Sequence, residues 1–200
     1  TPSSASSRTT WTFSWWWKRG NLSGSTNGTN QRQPIFGTTA FSILSNHNST
    51  QIDGINVVYT GAANDIQTSE KYRDVSAWYH IVLRVDTTQS TAADRLRLYV
   101  NGIQETSLAS TTYPSQNANY LYSESITAQY FGQRADAGNS SSFDGSMSHI
   151  HMCDGYSYDA SSFGETDTTT GEWKIKTSPS VSYGTNGYWI LKDGNSLTDA

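Results

Sequence analysis

A chain of 200 residues with a net charge of −4 and only 15% charged side chains suits one β-rich domain. The sequence has no basic stripe, which argues against nucleic-acid binding, and no run of about 18 apolar residues that would insert into a membrane. A single cysteine, Cys153, excludes an internal disulfide. Without a signal pattern or an initiator Met, we expect a processed product or a piece of a longer protein, with residues 1–200 forming one domain.

Large aromatic side chains alternate along the first predicted strand, which spans residues 11–18. Residues two apart on a strand share a face, so the strand should bury Trp11, Phe13, Trp15 and Trp17 in a core. Trp16 falls on the opposite, polar face. It either packs beneath a loop or a neighbouring chain, or it offers a flat surface on which a sugar ring stacks.

The next strands are predicted over residues 35–45 and 52–59, with a turn or bulge at Asp53-Gly54. Residues 19–34 form a polar connection. A second polar connection covers residues 60–77, and its length makes it a candidate functional loop.

The strongest strand pattern lies between Trp78 and Gln104. Apolar and polar residues alternate over residues 79–86 and again over residues 95–100, which predicts two antiparallel strands. Asn101-Gly102 follows, and this pair favours a type I′ turn because both central positions need a positive φ. A further strand is predicted to begin at Ile103.

The remaining third of the chain is less regular. Residues 107–125 are polar, and strands are predicted over residues 126–133, 146–153 and 187–192. Residues 154–173 are expected to be irregular, with a helical turn near Ala160.

Four segments occur in a specific order: residues 1–22, 72–104, 143–176 and 182–193. Together they resemble tailed-phage virion proteins that carry a concanavalin A-like lectin/glucanase, or laminin-G-like, domain. The resemblance implies an all-β fold, a two-sheet antiparallel jelly-roll sandwich. It also implies a structural or host-adhesion protein such as a tail fibre, tailspike or capsid appendage. Such proteins usually carry an acidic residue where His149 stands, so a metal-binding or sugar-binding role of that acid is not expected in this chain.

A sugar site needs aromatic faces with amide or acidic groups beside them. The polar stretch 107–125 supplies such a set, and with Trp16 the candidate ligand-binding residues are Tyr113, Asn117, Tyr120 and Tyr122. The alternative is that these side chains pack the loop or contact another subunit.

Metal sites are a second possibility. Calcium prefers oxygen ligands, and the best oxygen-rich group is Asp136, Asn139 and Asp144, with Asp53 and Asp65 as further candidates. The same residues equally well form turns by bonding their own backbone. For zinc, His149, His151 and Cys153 share one face of a predicted strand, although three ligands on one flat strand reach a single ion poorly. A polar outer face is the alternative.

Sandwich glucanases place two catalytic carboxylates on one strand. The nearest pattern here is Glu165-Thr166-Asp167, with Glu172 beyond, and it lies in a Gly/Thr-rich turn region. We therefore expect no enzyme activity. The preferred hypothesis is a virion or extracellular protein that binds host-surface carbohydrate and assembles with other virion subunits as a homo-oligomer. The alternatives are a purely structural subunit and, less favoured, a glycan-degrading hydrolase.

Overall fold

Two antiparallel sheets pack face to face in the computed structural model, which describes residues 6–22, 33–38, 41–45, 53–59, 65–119, 128–133 and 142–192. In chain order the strands are β1 (Thr10–Arg19), β2 (Pro34–Gly37), β3 (Phe41–Leu44), β4 (Asn56–Tyr59), β5 (Asp65–Thr68), β6 (Tyr79–Asp86), β7 (Leu96–Val100), β8 (Ile103–Gln104), β9 (Leu108–Thr111), β10 (Tyr130–Phe131), β11 (Gly145–Asp154), β12 (Gly164–Thr166), β13 (Trp173–Ile175) and β14 (Tyr188–Ile190).

Within the described residues each large sheet has six strands. One, the β1 sheet, has the order β14-β11-β1-β6-β7-β8, and the other, the β3 sheet, has the order β10-β2-β3-β4-β5-β9. Strands β12 and β13 form a separate hairpin. This architecture confirms the predicted all-β, two-sheet sandwich. None of the described ranges forms a helix long and apolar enough to cross a bilayer.

The core between the sheets is built on the aromatic face of β1. All four of its alternating aromatic residues are fully buried, as predicted. The Phe13 ring centroid lies 4.6 Å from that of Phe36, and Trp11 meets Phe41 edge-on at 5.3 Å. These contacts join the two sheets, because Phe36 and Phe41 belong to β2 and β3.

The hairpin after β6 also follows the sequence pattern. Strands β6 and β7 pair with Leu83 opposite Leu98. Asn101 and Gly102 have φ values of 47° and 84°, as a type I′ turn requires.

Two parts of the β3 sheet differ from the predictions. The single strand predicted over residues 35–45 is a hairpin of β2 and β3. Strands β5 and β9 lie in stretches predicted as polar connections, and they pair with each other at the side of the sheet. Ile66 of β5 is buried in the core between the sheets and Leu108 of β9 packs against it, but most of the other side chains of these strands are polar, so the sequence shows no apolar alternation there.

A covering segment, residues 156–190, lies over the outer face of the β1 sheet. Thr12 of β1 holds the start of this segment. Its Oγ1 donates to the carbonyl of Tyr156 and accepts from the N–H of Tyr158, both at 2.8 Å. The segment ends in β14, which pairs with β11. A second, smaller core forms beneath it, made of Val82, Tyr99, Cys153, Ala160 and Phe163. Trp16 lies on this outer face of β1 and is not part of the core between the sheets.

Candidate functional site

Three tryptophans line an open cleft where the covering segment meets the start of β6. Trp16 comes from β1, Trp78 directly precedes β6, and Trp173 comes from β13. The cleft has a volume of about 450 Å³, and its other lining residues are Ser148, Lys174 and Ile175. Its walls are mostly aromatic, with a serine and a lysine as the polar groups.

A buried histidine, His80, fixes two of these indoles. Its ring stacks on Trp16 with centroids 4.9 Å apart. The indole N–H of Trp173 donates to Nδ1 of His80 at 2.9 Å, and Nε2 of His80 lies 2.9 Å from Oγ of Ser14. Since Nδ1 accepts, the ring proton is on Nε2 and is donated to Ser14. Burial lowers the pKa of His80 to about 3, so the ring is neutral and keeps this arrangement.

Two glycines let the Trp173 ring sit directly against the backbone. A Cβ atom at Gly102 would lie 2.6 Å from the Trp173 ring, and one at Gly164 would lie 2.5 Å from it. Gly102 also has a φ of 84°, which L side chains rarely adopt. The position of this wall of the cleft thus depends on the Asn101-Gly102 turn.

We expect Gly102→Ala to displace the Trp173 indole, because the new Cβ would overlap the ring and strain the turn. The Trp173 indole N–H resonance, assigned in NMR spectra by its loss in Trp173→Phe, should shift. Gly171→Ala is the control, since Gly171 also has a positive φ (76°) but a Cβ there would meet nothing within 4 Å. An unchanged resonance in Gly102→Ala would contradict the packing.

Trp78 is the exposed wall of the cleft. Its side chain is 41% exposed, whereas Trp16 is only 6% exposed. With the other described residues, the Trp78 indole makes no ring contact and no hydrogen bond. An exposed indole beside a concavity is available to a ligand.

The polar edge of the cleft is an ion-pair network on the β12–β13 hairpin. Nζ of Lys174 lies 3.0 Å from Oδ2 of Asp167 and 3.7 Å from Oε1 of Glu165. Oδ1 of Asp167 accepts from the backbone N–H groups of Thr169 and Thr170. The backbone bond from Thr170, the Lys174 ammonium and the bond from Thr169 hold the pKa of Asp167 well below its usual range. Both acids serve this network, so they do not form a pair of carboxylates facing each other across a groove.

The sequence-predicted sugar residues divide into three groups. Trp16 lies in the cleft. Tyr113 is half-buried against the main core and lines a separate cavity of about 150 Å³, and Asn117 is exposed in a turn with a φ of 59°. Tyr120 and Tyr122 lie outside the described residues. Of the residues that the structure describes, neither Tyr113 nor Asn117 lines the cleft with Trp16, and the role of the whole set in binding stays a prediction.

The calcium prediction falls largely outside the described residues, as Asp136, Asn139 and the Asp65 side chain do. Asp144 is exposed, and its backbone carbonyl accepts from the N–H of Gly20 at 3.0 Å. Asp53 instead forms ion pairs with two arginines, so its carboxylate is already compensated. Across the described ranges, no three His, Cys, Asp or Glu side chains are placed to hold a metal.

The proposed zinc residues do not share a simple strand face. Ser14 lies opposite His151 but Trp16 lies opposite Ser148, so His149 and Ile150 together oppose Trp15 in a β-bulge. His149 has a φ of 46° at this bulge. Nδ1 of His151 is 2.9 Å from the hydroxyl of Tyr183, and burial raises the pKa of the Cys153 thiol to about 12. The alternation on which the zinc idea depended is therefore broken.

Comparison with known proteins agrees with a concanavalin A-like sandwich. The chain belongs to the concanavalin A-like lectin/glucanases superfamily, whose laminin-G-type family profile matches residues 1–156. A search of curated proteins found no significant match.

Two solved structures share the fold at 13% sequence identity. One is a Bacteroides ovatus protein described as a candidate carbohydrate-binding protein, with a TM-score of 0.62 over 96% of this chain. This chain spans about half of that protein's length, 48%. The other is a heptameric SAP-like pentraxin from Limulus polyphemus, with a TM-score of 0.55 over 97% of this chain and 88% of the pentraxin.

Proposed function

We propose that this protein is a non-enzymatic lectin-like domain that binds carbohydrate in the tryptophan cleft. The observation that carries the proposal is the cleft itself, in which two indoles fixed by His80 face the exposed indole of Trp78. A pyranose ring has an apolar face of C–H groups and hydroxyl groups around its edge. The indole faces can pack against the C–H face of the sugar, and Ser148 and Lys174 can hydrogen-bond its hydroxyl groups.

The family and the Bacteroides neighbour support this proposal at the level of the fold, which by itself does not name a ligand. The ion pairing of Glu165 and Asp167 with Lys174 supports binding without hydrolysis, because neither acid is placed as a nucleophile or a general acid.

The wider setting we propose is a phage virion, as a tail fibre, tailspike or capsid appendage that attaches to a bacterial surface. Its support is the resemblance of four ordered segments to phage virion proteins. Such a protein would be a homo-oligomer, since many weak sites on one particle raise avidity by orders of magnitude, about 10²–10⁴-fold.

Trp78→Ala should weaken glycan binding by about tenfold or more, since a large aromatic side chain at the centre of a contact carries much of the binding energy. Binding would be measured on a glycan array and then by titration calorimetry with the strongest hit. Because Trp78 is 41% exposed, the thermal midpoint should hardly change.

The matched control is Tyr156→Ala, which removes an aromatic side chain that is also 41% exposed but lies outside the cleft. Equal affinity of Trp78→Ala and the wild type would place the binding site elsewhere. If the wild type binds no glycan and forms a stable oligomer, the structural-subunit alternative gains support. The structural feature that best supports this alternative is Ile103, which is 76% exposed on the two-residue strand β8 at the margin of the β1 sheet.

A further inference from the structure

Lys174 is the one charged side chain among the described residues that line the tryptophan cleft. It is 48% exposed, and its ammonium is shared between the carboxylates of Asp167 and Glu165 at 3.0 and 3.7 Å. Two negative charges therefore surround one positive charge, and the local sum at this edge is −1. Lys18, the next residue on the outer face of β1 after Trp16, is not part of the lining.

We propose that this network makes the cleft select uncharged glycans over anionic ones, with Glu165 and Asp167 as the specificity-determining residues. The inference rests on the proposed carbohydrate-binding function and names its ligand class.

The physical reason is that the positive charge of Lys174 is already compensated by two carboxylates. A carboxylate or sulfate on a sugar needs a cation that is not already compensated, and here a third anion would approach two carboxylates. A neutral hydroxyl meets no such repulsion. An ammonium has three N–H donors, and only Asp167 accepts a hydrogen bond from Lys174, at 3.0 Å, while Glu165 at 3.7 Å is within ion-pair distance. N–H donors therefore remain for the oxygen of a neutral sugar. The net charge of the whole chain, −4, acts in the same direction.

The double variant Glu165→Gln/Asp167→Asn tests the proposal by freeing Lys174. Asparagine at 167 keeps an Oδ1 that can accept from Thr169 and Thr170, so the turn is retained. The probes are neutral hexose oligosaccharides and their uronic-acid counterparts of equal length on one array, followed by calorimetry of the best pair. The control is Glu70→Gln/Asp94→Asn, which changes the net charge equally and does not touch the cleft lining.

The wild type should bind neutral oligosaccharides and bind their uronic-acid counterparts at least tenfold more weakly. The double variant should gain about tenfold or more for the anionic probes, and this gain should fall as NaCl rises, because added salt screens charge attraction. The control should behave like the wild type. Salt should leave the binding of neutral probes unchanged in all three proteins.

The outcomes separate the two proposals. A wild type that binds anionic probes as well as, or better than, neutral ones overturns the selectivity but leaves carbohydrate binding in place. A double variant with no gain for anionic probes, or a control with the same gain, overturns the role of Glu165 and Asp167. A wild type that binds none of the probes on the array overturns both proposals.

Discussion

Asp53→Ala should lower the free energy of unfolding by about 3–5 kcal/mol, the cost of leaving a buried charge without its partner. The Arg19 side chain is fully buried, and its Nη1 lies 2.8 Å from Oδ1 of Asp53. The same nitrogen also donates to the carbonyl of Tyr72 at 2.9 Å. A backbone carbonyl carries no net charge, so it cannot replace the carboxylate. Urea denaturation of both proteins at pH 7 measures the difference.

Arg73→Ala is the internal comparison, because Arg73 binds the other oxygen of the same carboxylate. Its Nε lies 2.9 Å from Oδ2 of Asp53, but its side chain is 59% exposed. A solvated ion pair contributes about 0–1 kcal/mol, so this variant should stay close to the wild type. A loss in Asp53→Ala as small as about 0–1 kcal/mol would show that Arg19 is solvated and that its ion pair with Asp53 is not a buried one.

The second large effect expected is a loss of stability in mild acid. Burial lowers the pKa values of both His80 and His151 to about 3, whereas an unfolded histidine titrates near 6.5. Between these values the unfolded chain binds more protons than the folded one. The stabilisation is therefore complete above pH 6.5 and is lost as the pH falls toward 3, by about 1.4 kcal/mol per pH unit for each histidine.

Urea midpoints measured from pH 7 to pH 4.5 would test this expectation. The window stays above the range in which the carboxyls of Asp86 and Asp167 titrate, since both have lowered pKa values. In His80→Gln/His151→Gln the dependence on pH should flatten, although the variant is less stable at pH 7 because it loses ring contacts with Trp16 and Trp189. A wild type with a flat profile would mean that both rings reach water.

The inter-sheet core and the β6–β7 hairpin could be predicted because each depends on a short-range signal. A buried face with a period of two is visible in β1, and the Asn101-Gly102 turn needs positive φ at two positions that Asn and Gly tolerate. The prediction of one strand over residues 35–45 was wrong, because the apolar residues in this stretch hide the turn between β2 and β3. Strands β5 and β9 gave no signal because their side chains are mostly polar.

The candidate site was predicted only in part. Trp16 stood out as an aromatic residue on a polar face, and the structure places it at the cleft, 6% exposed and stacked on His80. Its stacking on a sugar stays a prediction. Trp78 and Trp173 were not predicted as site residues, because they meet only when the β12–β13 hairpin folds back over the β1 sheet. The glycine contacts of Trp173 are local in space but distant in sequence, so no motif reveals them.

The core between the sheets and one wall of the cleft come from different parts of the chain. The family profile ends at residue 156, whereas Trp173, Lys174 and Ile175 come from beyond it. One wall of the cleft, together with the acids that surround Lys174, is thus carried by a stretch that contributes little to the core between the sheets. A graft onto residues 164–175 that keeps Gly164 and Trp173, whose indole bonds His80 and packs on Gly102, would change the charged edge of the cleft and leave the core between the sheets in place.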